Sequence, residues 1–472
     1  MIEFPVIALM VMLAGVGLLS LMLAPRVRTA EGFFAGQNEQ GGAPGLLTLV
    51  FSQVTTWIFA RSLLNAAILG YFYGIAGALA YSAYYGSFLT GWLIVDRLRY
   101  RHGAHNIQGF IAARFGRVGV GCYNLLISLR LLSEVFANLL VVGMVFGVAG
   151  SQGHTVAMVA VAGLTLLYSM SGGLRASLRT DVLQMGLLLV LIVLLGLQAL
   201  MHPLFSWLAV LASSPEWTSP GWILLVVALL QVLSYPLHDP VMMDRGFLAD
   251  RSTTRRSFVH AFWLSALLIL AFGLLGVFAG LQAMEGEELL PALQRLLGTH
   301  AMLLLGLALV ISAASTLDST LASAAKLMVM DMGLGRPTAG SGRLAMAGFA
   351  LGGLVLVFTG SQDLFDAVAV SGTASLALTP LILFCILGGR EVARWSFVLT
   401  FASAVAGAVL YFLEKGGHVS LIGPLFGVEH SYAKLLVITL LILAAGLLSF
   451  FLGLKPRAPV FHTAGNSQDP NT

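Results

Sequence analysis

An all-α polytopic membrane protein is the fold class this sequence predicts, on three observations. Apolar runs of about 20 residues, each long enough to cross a bilayer, recur from end to end of the 472-residue chain. Charged residues make up 10% of it, against roughly 25% in soluble domains. Two of the apolar runs are interrupted in mid-span, one by hydroxyls and an amide and the other by prolines, at corresponding places in the order of helices.

Taken in order, the runs predict about thirteen transmembrane helices: 4–24, 45–73, 76–97, 119–150, 155–170, 181–202, 220–244, 257–283, 300–326, 343–360, 364–389, 395–413 and 433–454. The first has only Glu3 before it and Arg26 and Arg28 behind it, which reads as a retained helix with its N-terminus outside. Helix 45–73 carries Ser52, Gln53, Thr55 and Thr56 at its middle. Helix 220–244 carries Pro236 and Pro240, each of which deletes a backbone hydrogen bond; His238 and Asp239 between them suit the freed backbone groups. Four helices separate the two interruptions, so each opens a five-helix block, as in transporters built of inverted repeats. Two unrelated kinks would leave the same mark. The organisation predicted is an extra helix and loop over 1–44, a first repeat over 45–202, a second over 203–389 and two peripheral helices over 390–454. A polar, Pro-containing tail over 455–472 is expected to be disordered.

Placing the N-terminus outside puts 20 of the 25 basic residues, Arg245 among them, in cytoplasmic segments, and three (Arg295, Lys415 and Lys434) outside. The outer segments carry Glu216, Glu285, Glu287, Glu288 and Glu429 instead. This is the positive-inside pattern. The formal charge of +4 therefore reflects orientation in a cell (inner) membrane, with a cytoplasmic C-terminus, and no nucleic-acid partner is expected. Cys122 and Cys385 fall at or within spans, so no disulfide framework is predicted. His102 and His105 read as solvated loop residues and not as metal ligands. No nucleophile–base pair, phosphate loop or metal cluster is legible, which argues against an enzyme.

Helix 300–326 poses a separate question. Ala313–Thr320, AASTLDST, puts a carboxylate and four hydroxyls at membrane depth. Ser312, Ser315, Thr316, Ser319 and Ser323 share one helical face, with Asp318 on its edge. Small hydroxyl residues serve close helix packing. That role leaves Asp318 unexplained, because an acid at mid-bilayer costs roughly 2.5–3.5 kcal/mol on insertion scales. An all-oxygen stripe suits a hard cation.

Five segments, in order, resemble the sodium/solute symporter family, whose fold is the five-plus-five inverted repeat and whose members include proline, sugar and sialic-acid symporters. They are EGFFAGQNEQGGAPGLLTLVFSQVTTW from Glu31, FIAARFG from Phe110, SGGLRASLRTDVLQ from Ser171, DRGFLADRSTTRRSF from Asp244 and SAASTLDSTLASAAKLMVMD from Ser312. The resemblance spans roughly residues 30–390.

It implies a main sodium site of backbone carbonyls near Phe51, Val54 and Ser312 with the hydroxyls of Ser315 and Thr316. It also implies a second cation site at Asp181, Ser315, Asp318 and Ser319, because some members hold a second sodium there. Aspartate at 318 departs from the hydroxyl residue the family pattern leads one to expect. Two Na+ per cycle, or one Na+ and a proton, are both open. The substrate is implied between the broken helices and the fourth helix, faced by Thr56, Trp57, Arg61, Arg130, Glu134, Asn138 and Tyr235. Asn138 and Tyr235 match family positions that line or close the substrate site. Tyr85 stands where sugar-carrying members have an acid, which argues against a sugar.

Arg61 stands where the family usually has a small residue, and an unpaired arginine in a bilayer is costly. A substrate carboxylate could accept its bidentate fork. The alternatives are a bond to Glu134, itself spaced i, i+4 from Arg130, or snorkelling to the outer surface. The resemblance implies sodium-coupled symport of a small organic solute, an amino acid or other carboxylate, by alternating access. The alternative is a non-transporting membrane solute sensor acting through a partner protein. Oligomeric state is left open.

Overall fold

The computed structural model describes residues 4–38, 40–359 and 372–456. The predicted tail beyond 456 and the start of the helix predicted at 364–389 lie outside the described residues. Among those described, the chain is helices and their connections, with one isolated β-bridge between Val392 and Leu454. Nine of these helices are long and apolar enough to cross a membrane, and four shorter ones (Ile7–Leu23, Leu46–Trp57, Pro220–Gln231 and Gly372–Leu387) are apolar as well. The chain is an integral membrane protein.

The helices that form the core are α1 (Leu46–Trp57), α2 (Ala60–Ala83), α3 (Ile107–Phe146), α4 (Gln152–Gly172) and α5 (Leu174–Leu200), followed by α6 (Pro240–Gly246), α7 (Arg251–Leu281) and α8 (Leu289–Lys326). Several are longer than a bilayer is thick. The 42-residue run Ala60–Arg101 would be about 63 Å long if straight, twice a hydrocarbon core of about 30 Å. It folds back at Gly74, whose φ of 61° and ψ of −149° suit only glycine. The two arms lie so close that a side chain at Gly77 would run into the Leu69 carbonyl.

Two other long helices, α3 and α8, depart from helical geometry near their starts, at Gly116 and Gly298. They are the third helices of the two predicted blocks. The leading segment of α3 follows the basic Arg97–Arg101 turn, whereas that of α8 follows the acidic Glu285–Glu288 loop. An inverted second block would place these equivalent elements on opposite sides.

Both predicted interruptions are breaks in the backbone. Between α1 and α2, Ile58 (φ −88°, ψ 67°) and Phe59 (φ −78°, ψ 159°) leave the helix. The break therefore falls just after the hydroxyl cluster, whose members all remain helical. In the second block, helix Pro220–Gln231 gives way to a single turn, Tyr235–His238. Asp239 (φ −106°, ψ 99°) then starts α6 with Pro240 as its first residue, where a missing N–H costs nothing. The Asp239 carboxylate accepts from Met242 N at 3.0 Å and so caps α6.

Small residues let the blocks approach. A side chain at Gly70 or Gly276 would collide with the facing backbone of α7 or α2, at Gly273 and Ala67 respectively. Membrane helices gain their association energy from this kind of close backbone packing.

Candidate functional site

Four helices, α1, α5, α6 and α8, bring polar side chains to one point where Asp181 and Arg245 have no exposure to solvent. Asp181 on α5 accepts from Ser315 at 2.8 Å through one oxygen and from Ser52 at 2.6 Å through the other. The guanidinium of Arg245 reaches the same carboxylate at 3.4 Å. It also donates to Ser52 at 2.7 Å, to Ser319 at 2.8 Å and to the Val241 carbonyl at 2.9 Å. The Ser177 and Ser319 hydroxyls are 2.9 Å apart beside it.

Arg245 corrects the sequence reading, which counts it as a cytoplasmic loop residue. The physical reason is tertiary: Arg245 lies five residues beyond the break at Pro240, still on α6, and its guanidinium turns onto Asp181, Ser52 and Ser319 of the neighbouring helices. The need for it was legible, since a buried Asp181 requires a countercharge.

The residues of the implied second cation site divide. Asp181, Ser315 and Ser319 converge on the Arg245 guanidinium, whereas Asp318 turns aside. Its two oxygens accept from Ser169 on α4 at 2.8 Å and from Thr180 on α5 at 2.7 Å. The helical rotation of about 100° per residue explains this, because Asp318 is one step off the Ser319 face. Counted formally, one arginine meets two carboxylates here, leaving a deficit of one positive charge.

The residues of the implied main sodium site gather at the first break. The Ser312 hydroxyl donates to the Ile58 carbonyl, and Thr316 donates back to the Ser312 carbonyl at 3.0 Å. The Val54 carbonyl accepts from Ile58 N at 2.9 Å, and Phe51 lies on α1 one turn earlier. Ser315 connects this group to Asp181.

A second buried charge cluster lies elsewhere along α3. Arg61 donates to Glu134 at 3.1 Å, Arg130 pairs with the same carboxylate, and Arg130 also reaches Asp239 at 3.3 Å. The result is two positive and two negative groups, all nearly inaccessible. Of the alternatives open to Arg61, the bond to Glu134 is thus formed, through one of its two terminal nitrogens. Asn138 is also occupied: its side-chain oxygen accepts from Ala60 N at 3.1 Å, capping the first residue of α2. Thr56 donates to its own helix, to the Gln53 carbonyl at 3.2 Å.

Of the seven implied substrate residues, Trp57 and Tyr235 line a cavity of about 310 Å³. Phe59 lines it too, and the Arg61 and Arg130 guanidiniums lie 5.3 and 5.6 Å from the centre of its ring. Phe59 therefore stands between the cavity and the charge cluster. Trp57 meets Tyr85 edge-on at 5.7 Å and Tyr235 at 5.5 Å between ring centres. Tyr85 is fixed by a bond to the Trp57 carbonyl at 2.8 Å. Phe59 and Tyr84 were not singled out from sequence, since an aromatic beside a helix break looks like any other core residue.

Residues 34–205 match the model of the Sodium:solute symporter family. This range contains three of the five motifs that carried the resemblance, in whole or nearly so. Among solved structures, the chain is similar to a Na+-coupled sialic acid symporter in its substrate-bound, outward-open state with a novel Na+ site. The TM-score is 0.68 at 15% identity, over 96% of this chain and 100% of that one. It is also similar to Mhp1, a nucleobase-cation-symport-1 family transporter in a closed conformation with bromovinylhydantoin bound, with a TM-score of 0.55 at 13% identity over 91% and 96% of the two chains. No curated protein matches the chain significantly. The fold is that of the five-plus-five inverted-repeat transporters.

Proposed function

We propose that this chain is a sodium-coupled symporter that moves a small organic solute by alternating access, with its repeats over 45–202 and 203–389 and its N-terminus outside. One observation carries the reading: the hydroxyl stripe of α8 meets the break of α1 next to a buried cluster short of one positive charge. Sodium held by Ser315, Thr316 and the carbonyls of Val54 and Ser312 would tie α1 to α8. The solute cavity begins at Trp57, one residue before that break. An ion that orders the break therefore orders the cavity wall, and the coupling is reciprocal in free energy.

The formal deficit beside Asp318 would be met by one further cation, a second sodium or a proton. Arg245 supplies the other positive charge as part of the chain, linking α6 to α1, α5 and α8. No enzymatic step belongs to this reading.

The test is uptake into proteoliposomes with and without a sodium gradient, using the solute selected by a thermal-shift screen in sodium. Thr316→Ala and Asp181→Asn are each expected to raise the sodium concentration for half-maximal uptake at least tenfold. Unchanged sodium dependence in both would sink the assignment. Binding without uptake in the same vesicles would favour a sensor.

A further inference from the structure

We infer that the solute is an uncharged, planar ring compound carrying both a hydrogen-bond donor and an acceptor, a heteroaromatic amide or lactam. The inference rests on the symport reading only in taking this cavity as the solute site. Ten of the 21 residues that line the cavity are aromatic, in a chain whose aromatic content is 10%. Flat rings favour a flat partner, through offset-stacked and edge-to-face contacts.

Charge argues in the same direction. The arginines of α2 and α3 are neutralised by Glu134 and Asp239 behind Phe59, and none of the four lines the cavity. Among the described residues, Lys415 is the one charged residue of the wall, and it is engaged with the protein. A charged solute would lose its hydration here without gaining a countercharge.

The polar atoms narrow the class further. Four tyrosine hydroxyls of the wall are committed within the protein: Tyr84 to Gln231 at 2.9 Å, Tyr85 to the Trp57 carbonyl at 2.8 Å, Tyr81 to Ser62 at 3.3 Å and Tyr73 with His430 at 3.4 Å. Hydroxyls already committed favour a solute with few polar groups over a polyol. Three buried lining groups have no partner among the described residues: Trp57 Nε1, Asn65 Oδ1 and Thr373 Oγ1. Their residues are 3%, 2% and 0% exposed. The indole N–H asks for an acceptor, the carboxamide oxygen asks for a donor, and the hydroxyl serves either. A ring amide presents an acceptor and a donor side by side.

The experiment is a thermal-shift and binding titration of the purified full chain, in sodium and in potassium buffer. One triad holds the ring constant and varies charge: nicotinamide, nicotinate and 1-methylnicotinamide. Uracil and 2-pyridone extend the uncharged ring class, while L-proline, choline and myo-inositol represent saturated zwitterionic, cationic and polyol solutes. At least one uncharged ring compound is expected to bind, at least tenfold more tightly than any charged or saturated one. Trp57→Ala and Asn65→Ala should each weaken it at least tenfold. Trp57→Phe, which keeps a ring and the fold but loses the N–H, should weaken it by a smaller factor. Binding confined to charged or saturated compounds, or to none of the panel, overturns the inference. Sodium-dependent binding of L-proline alone would leave the symport reading standing without it. A ring compound bound equally well in potassium would leave the inference standing and remove the sodium coupling.

Discussion

Two buried charge clusters among the described residues differ in one respect. Arg61, Arg130, Glu134 and Asp239 count two of each sign. Arg245, Asp181 and Asp318 count one positive against two negative. Burying ions repays its desolvation cost only when each has a partner of good geometry. The first cluster is complete and fixes α2 and α3 to the second helix break. On the proposed reading, the second would be completed by a cation from outside, and its carboxylates lie beside the hydroxyl stripe of α8. Balance would then mark a brace, and imbalance a place for a mobile ion.

The largest effects come from upsetting either cluster. Glu134→Gln leaves two arginines against Asp239, and Arg245→Met leaves two carboxylates alone. Each is expected to cost about 3–5 kcal/mol in thermal unfolding of the purified protein. Sodium should restore part of the loss in Arg245→Met and none in Glu134→Gln. Equal recovery in both would erase the distinction between the clusters.

A smaller change sharpens the comparison. Asp318→Asn removes the formal deficit while leaving Asp181 paired with Arg245. A second sodium would then be lost, and the cooperativity of the sodium titration would fall to that of a single site. If the extra cation is a proton, the sodium titration keeps its shape and the pH dependence of uptake flattens. If neither changes, Asp318 has no part in coupling.

Asn138→Ala should cost about 0.5–2 kcal/mol, the usual worth of a helix cap, and leave the order of preference among solutes unchanged. A switch in preference would return Asn138 to the cavity wall.

The smallest effect lies on the surface. The Glu287 carboxyl is held down to about 2 by its hydrogen bonds from Arg295, at 3.0 and 2.7 Å. A carboxyl depressed on folding adds stability above its ordinary value, and that contribution fades as pH falls toward 2. Glu287→Gln should therefore be slightly less stable than the parent at pH 7 and indistinguishable near pH 2. A difference that grows in acid would contradict the pairing.

Much of the scaffold was legible from residues alone. Apolar runs located the helices, Pro236 and Pro240 located the second break, and AASTLDST announced a polar site on α8. The gaps have physical causes. Arg245 looked like a loop residue because it follows the last apolar residues of its run, and its pairing with Asp181, 64 residues away, is a tertiary fact. Arg61 could not be assigned, because pairing with Glu134, 73 residues away, is a tertiary fact. The aromatic cavity was hidden for the same reason: its walls come from distant parts of the chain, and a ring that lines a cavity reads as core.

The most direct test of the account is binding of ²²Na+ to the purified full chain, compared for the parent, Asp181→Asn and Glu134→Gln. Asp181→Asn is expected to weaken sodium binding at least tenfold, and Glu134→Gln to stay within about twofold of the parent. Sodium binding that survives Asp181→Asn and is lost in Glu134→Gln would show that the wrong cluster has been given the ion.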